Sequence, residues 1–217
     1  MDHARARLNM VENQLRPSRI DDPRLLDAMR EVPRERFLPK LLRSVAYADE
    51  DLRLPSGGHL IEPLVLARLI QAAQIRPQDV VLVVGCTTGY AGVVLARMAA
   101  TVILLQLDPG AAEQIESLLE ELAVDNVVVV TGEDPAAGHP SQAPYDVVLL
   151  VGAVDRTPPA LLEQIGEGGR LVTVIDDGRV GKGTVFTRLH GVIGRQVVFD
   201  AHIPRLAGLR QRVEFAL

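Results

Sequence analysis

An apolar run, Val80 to Val84, opens directly onto Gly85-Cys86-Thr87-Thr88-Gly89-Tyr90. A strand ending on glycine, followed by a helix entered through a second glycine, aims backbone N–H groups at whatever lies beyond the sheet. That geometry suits an anionic or polar ligand. The turn lacks the Gly-Lys-Ser/Thr of a phosphate-binding loop, and it lacks the G-x-G-x-x-G of dinucleotide sites. Other chemistry-bearing residues stand at comparable places. Gln106, Leu107 and Asp108 follow the next apolar run, Gly132, Glu133 and Asp134 follow the third, and Val151 closes the fourth. Upstream, His59 and Glu62 flank Ile61. Cys86 admits two readings: a thiol made acidic by a helix N-terminus, or a small buried residue. His139, His190 and His202 have no ligand spacing, so no metal site is expected.

The elements that position these residues follow from periodicity. Leu8, Val11 and Leu15 predict an N-terminal helix ending at Arg16-Pro17. Asp22-Pro23 is an N-cap and first-position pair for a second helix, with Leu25, Leu26 and Met29 inward and a stop before Pro33. Residues 51–62 predict a short extended segment around Ser56-Gly57-Gly58, and a third helix runs from Pro63 to about Ile75. Apolar runs at Val80–Val84, Val102–Leu105, Val127–Val130, Val147–Val151 and Leu171–Ile175 alternate with helical stretches at 89–99, 110–123 and 158–165. Such alternation predicts an α/β fold, a doubly wound Rossmann-like and mostly parallel sheet with an N-terminal helical cap. Thr184–Leu189 and Gln196–Ala201, joined by His190–Gly194, predict a C-terminal antiparallel hairpin. Residues 1–76 are expected to form the cap and substrate loop and residues 77–217 the Rossmann-like domain, in one folding unit.

Composition narrows the function. With 47% hydrophobic and 24% charged residues in a chain of 217, disorder and disulfide scaffolds are excluded. Aromatics at 3% with no Trp leave no stacking platform for single-stranded nucleic acid, and a net charge of −5 offers no basic footprint. The first residues carry Arg but no apolar h-region, and the apolar runs fall short of the roughly 20 residues of a membrane span. A lone Cys86 points to a reducing compartment, so a cytoplasmic protein is expected.

Several segments in fixed order carry a resemblance. They are Met10-Val11-Glu12-Asn13-Gln14-Leu15, Val32-Pro33-Arg34-Glu35-Arg36-Phe37-Leu38-Pro39, Ala46-Tyr47-Ala48-Asp49 and Ile61-Glu62-Pro63. Val80 to Gly85 with Gly89-Tyr90, Ala143-Pro144-Tyr145-Asp146, and Gly168-Gly169-Arg170-Leu171-Val172 follow. From residue 8 to about 175 the chain resembles the protein-L-isoaspartate O-methyltransferase family, class I S-adenosylmethionine-dependent enzymes. The resemblance implies S-adenosylmethionine as cofactor. It implies a protein or peptide carboxylate as substrate; a monomer with no nucleic-acid or membrane partner is expected. It places the cofactor against Gly85, Cys86, Thr87, Gly89, Gln106, Leu107, Gly132, Glu133 and Val151, and the acceptor near His59, Ile61 and Glu62. Asp146 counts toward the ligand end, and Arg34 and Arg36 are expected to organise the cap through carboxylates.

Three positions depart from the family pattern. Thr87 replaces the middle glycine of a G-x-G-x-G turn; a β-branched residue tolerates positive φ poorly, and its Cβ would intrude on the cofactor. Gln106 replaces the Glu that accepts from both ribose hydroxyls, at an expected cost of about 1–3 kcal/mol. On this count Gln106→Glu and Thr87→Gly would strengthen cofactor binding. Ile61 replaces the substrate-loop Ser and makes no hydrogen bond, so isoaspartyl activity is expected to be weak. Asp108 is either a substitute ribose acceptor or the N-cap of the next helix. Glu133 or Asp134 is either an adenine acceptor or part of a solvated turn. Beside the enzyme stands an alternative, a non-catalytic binding module on the same fold. A dehydrogenase would need an acid at 106 and a third glycine.

Overall fold

The computed structural model describes residues 2–209. Residues 210–217, the end of the expected second domain, lie outside the described residues.

Helix α1 (His3–Met10) is capped by Asp2, whose side chain accepts from the Arg5 N–H at 3.0 Å. It then widens into a π turn over Val11–Leu15 and a short 3-10 turn. The expected apolar face is therefore corrected. The wider turn rotates the chain so that Met10, Val11 and Leu15 are buried, while Leu8 stays in solvent. Helix α2 (Pro23–Glu31) starts as predicted, with the Asp22 carboxylate accepting from Arg24 N–H at 2.9 Å and Pro23 at the first position. Strands β1 (Leu52–Arg53) and β2 (His59–Leu60) pair antiparallel around the Ser56-Gly57-Gly58 turn, and α3 (Pro63–Ala73) follows.

The main sheet contains β3 (Val80–Val84), β4 (Thr101–Gln106), β5 (Val127–Thr131), β6 (Tyr145–Val154), β7 (Ile165–Ile175), β8 (Lys182–Leu189) and β9 (Val192–Asp200). Between them lie α4 (Tyr90–Ala96), α5 (Pro109–Glu121) and α6 (Pro159–Glu163). The order is β5-β4-β3-β6-β7-β8-β9, parallel from β5 to β7 and antiparallel beyond. Connection direction reverses between β3 and β6, which places a crevice beyond their carboxyl ends. The period-two alternation of strands divides the core. Val81 and Val83 face the cap, α3 and α4, whereas Leu82 and Val84 pack with Leu161 and Leu171 on the other side.

The hairpin differs in its turn. His190 and Gly191 alone connect β8 to β9, both at positive φ (51° and 75°), so the second strand starts at Val192 rather than after Gly194. Two left-handed residues match the twist of the flanking strands and close the hairpin in the shortest way.

Candidate active site

A cavity of about 330 Å³ opens beyond the carboxyl ends of β3, β4 and β6. One end is walled by Leu105, Gln106, Leu107, Asp108, Ala111 and Pro135, the middle by Val84, Gly85, Thr87 and Val151, and the other by Ser56 to His59 and Ile61. Gly85 and Gly89 take φ values of 84° and 83°, so these are the positions where the turn requires glycine. Thr87 has no positive φ, which corrects the expected strain. Its hydroxyl donates to the His59 carbonyl at 3.3 Å, so its side chain is directed to the β1–β2 loop.

Gln106 is buried at the end of β4, and its Nε2 donates to the Cys86 carbonyl at 2.9 Å. This bond fixes the amide orientation, because the reverse assignment would set two acceptors against each other. Oε1 remains to accept from a ligand hydroxyl. Asp108 is the N-cap of α5, accepting from Gly110 N–H at 3.0 Å, though it also lines the cavity.

Other predicted positions fall outside the lining. Cys86 is buried, and burial raises its thiol pKa despite nearby N–H groups, so it is the small packed residue of the two readings. Gly89 enters α4 behind the wall. Gly132 N–H donates to the Gln106 carbonyl at 2.9 Å, continuing the β4–β5 ladder. Glu133 is exposed and Asp134 accepts from Ala136 N–H at 2.8 Å, closing a local turn. Asp146 accepts from Val80 N–H at 2.8 Å at the amino end of β6, the edge of the sheet opposite the cavity. Its expected place at the ligand end is thus corrected.

At the β1–β2 end, His59 and Ile61 line the cavity, whereas Glu62 does not. The Glu62 carboxyl sits among Asp49 and Asp51; burial first, then these two charges, push it up to about 7. Asp51 accepts from Glu62 N–H at 2.9 Å and Asp49 from Leu64 N–H at 3.2 Å, so both carboxylates serve the start of α3. Arg34 is fully buried and donates to the carbonyls of Ala46 and Ile61, each at 2.7 Å. Its guanidinium lies 4.9 Å from the Tyr90 ring centre. The expected carboxylate partners are replaced by main-chain carbonyls at Nε and Nη2, while Nη1 is buried with no hydrogen-bond partner among the described residues. Arg36 pairs with Glu121 as anticipated.

Periodicity gave no sign of Pro204, Arg205, Leu206 and Ala207, which complete the wall. Ala153 N–H donates to Pro204 O and Leu206 N–H to Ala153 O, both at 2.9 Å, so the segment lies along the end of β6. Arg205 pairs with Asp155 at 3.0 Å and Asp176 at 3.1 Å. Among the described residues no three His, Cys, Asp or Glu side chains gather to hold a metal ion, and no helix is long and apolar enough to cross a membrane.

A parallel sheet reversing beside β3, a glycine turn at its tip and an antiparallel terminal pair define a class I methyltransferase fold. Solved structures agree: a protein-L-isoaspartate O-methyltransferase aligns over 93% of this chain and 66% of its own, with a TM-score of 0.79 and 24% identity. A Plasmodium falciparum structure in complex with S-adenosyl-L-homocysteine aligns over 94% and 97%, with a TM-score of 0.75 and 19% identity. By sequence, the Koribacter versatilis protein-L-isoaspartate O-methyltransferase is 38% identical over 93% of this chain and 90% of that one. The Gloeobacter violaceus enzyme of the same name is 37% identical over 88% and 93%. The profile of the protein-L-isoaspartate(D-aspartate) O-methyltransferase family matches residues 6–197, and the chain belongs to that family. The match continues past residue 175 through most of the hairpin, further than the sequence segments alone indicated.

Proposed function

We propose that this chain methylates the carboxylate of isoaspartyl residues in protein or peptide, with S-adenosylmethionine as donor. The observation that carries the proposal is the single cavity joining Gln106 and Leu107 to His59 and Ile61 past the glycine turn, in a member of this family. Its size lies at the lower bound of ligand pockets, about 300–1,000 Å³. The residues fit the cofactor. Gln106 Oε1, left free by the bond to Cys86, accepts from a ribose hydroxyl, and Leu107, Ala111 and Pro135 supply apolar surface for a base.

When bound, S-adenosylmethionine supplies a methyl group on a positively charged sulfur. The acceptor carboxylate is ionised at neutral pH, so the protein needs no general base; it positions the acceptor and excludes water. His59 and the β1–β2 loop hold the acceptor end, with Ile61 as an apolar floor. Because Ile61 offers no hydrogen bond, isoaspartyl turnover is slow. Residues 1–76 act as cap and substrate loop for a catalytic body from residue 77 onward, a division supported by the loop lying on the former and the glycine turn on the latter. The lone, buried Cys86 supports a reducing, cytoplasmic setting.

Calorimetric titration with S-adenosylhomocysteine, followed by methyl transfer to an isoaspartyl peptide, tests the proposal. Micromolar binding and slow, saturable esterification are expected. No heat at millimolar ligand would overturn it.

A further inference from the structure

We infer that Thr87 is a positioning residue that ties the glycine turn to the acceptor loop, so that occupancy of the turn and order of the loop are coupled. The inference rests on the reading of the cavity as a cofactor and acceptor site, and it assigns a role to the position where this chain departs from the glycine pattern.

Two contacts made by one side chain carry it. The Thr87 hydroxyl donates to the His59 carbonyl at 3.3 Å. Its methyl Cγ2 lies 2.7 Å from where a Cβ on Gly58 would stand, and its Oγ1 lies 3.1 Å from that point. The loop thus comes close enough to the turn that a side chain on Gly58 would collide with Thr87. A glycine at 87 would have neither hydroxyl nor methyl and would leave the loop unbraced. Thr87 also stands between two hollows. It lines the cavity on one side, and on the other a groove of about 560 Å³ formed with Leu54, Pro55 and α5. Ser56, Thr87, Asp108 and Ala111 border both, so Thr87 is part of the partition that keeps them apart.

The energetic consequence is reciprocal. A ligand that orders the turn orders residues 56–60 through Thr87, and an acceptor that orders the loop favours the turn conformation that holds the nucleoside. The hydroxyl bond is the main tie between turn and loop, and the methyl adds contact beside Gly58.

Hydrogen exchange at residues 56–60 of the full chain tests this in wild type, Thr87→Ala and Thr87→Ser, each free and with S-adenosylhomocysteine. In the free protein Thr87→Ala is expected to raise loop exchange about 2- to 10-fold, the range for loss of one net hydrogen bond, and Thr87→Ser to restore much of the protection. The nucleoside should protect the loop in wild type and not in Thr87→Ala. With an isoaspartyl peptide, Thr87→Ala should raise KM while kcat holds, and the serine variant should recover KM. Loop exchange equal in wild type and Thr87→Ala would overturn the tie. So would nucleoside protection of the loop that persists in Thr87→Ala. Absence of any calorimetric heat with S-adenosylhomocysteine would instead defeat the proposed function, and exchange in the free proteins would still decide whether Thr87 braces the loop.

Discussion

Leu206 occupies the space that side chains on two glycines of the sheet tip would need. A Cβ on Gly152 would lie 2.6 Å from its Cγ, and one on Gly85 would overlap its Cδ2. Residues far apart in the chain thus meet where β3 and β6 end, and the leucine forms the roof of the cavity between them.

Gly85→Ala should therefore fail twice, through φ of 84° and through displacement of Leu206. The expected loss is at least about 2 kcal/mol in urea unfolding. Leu206→Ala should cost about 1–2 kcal/mol while enlarging the roof, and stopped-flow association of S-adenosylhomocysteine should quicken. Slower association in that variant would contradict the roof assignment.

Gln106→Glu should weaken the protein, contrary to the expectation from the family pattern. A carboxylate would face the Cys86 carbonyl across the 2.9 Å now bridged by an N–H. The variant should lose about 2–3 kcal/mol of stability and bind S-adenosylhomocysteine at least several-fold more weakly. Tighter binding would show that the carbonyl relaxes away.

Glu62 makes stability depend on pH in a definite sense. Its folded pKa is raised to about 7, above the ordinary 4.5, so the folded state holds this proton more tightly than the unfolded chain. The associated stability is full below about pH 4.5 and is lost as pH rises through about 7. Asp51, also raised by burial, adds in the same direction. Glu62→Gln should stabilise by about 1 kcal/mol at pH 8, after allowance for solvent screening, and by little at pH 5. Denaturant titrations at the two pH values check this.

Arg34→Lys should cost about 3 kcal/mol, because one nitrogen would replace the two, Nε and Nη2, that separately reach the carbonyls of Ala46 and Ile61, and the planar stack on Tyr90 would be lost. The melting temperature reads the loss. Retention of wild-type stability would mean that the loop does not depend on this fork.

Much of the fold was legible because buried parallel strands advertise themselves: Val80–Val84 and its counterparts are apolar throughout, and Asp22-Pro23 and Asp108-Pro109 mark helix starts. The glycine turn was legible for the same local reason. What escaped was contact between distant segments. Gln106 could be seen as a change of residue type, but its partner Cys86 lies on another strand's turn. The family pattern sets a glycine at 87, yet only 85 and 89 take left-handed backbone in this turn, so a threonine fits at 87 without strain. Leu206 sits in a stretch with no periodicity, and only the folded sheet brings it to Gly85.

Gln106 also sets a limit on what acidity can do to this molecule. An amide carries no proton to gain at these pH values, so the Gln106 wall of the cavity keeps its character from mild acid to mild base. The carboxyl group of Glu62, next to Ile61 in the chain but outside the cavity lining, changes charge near neutrality. A simple change of buffer should therefore disturb the start of α3, behind the β1–β2 loop, more than the wall at Gln106.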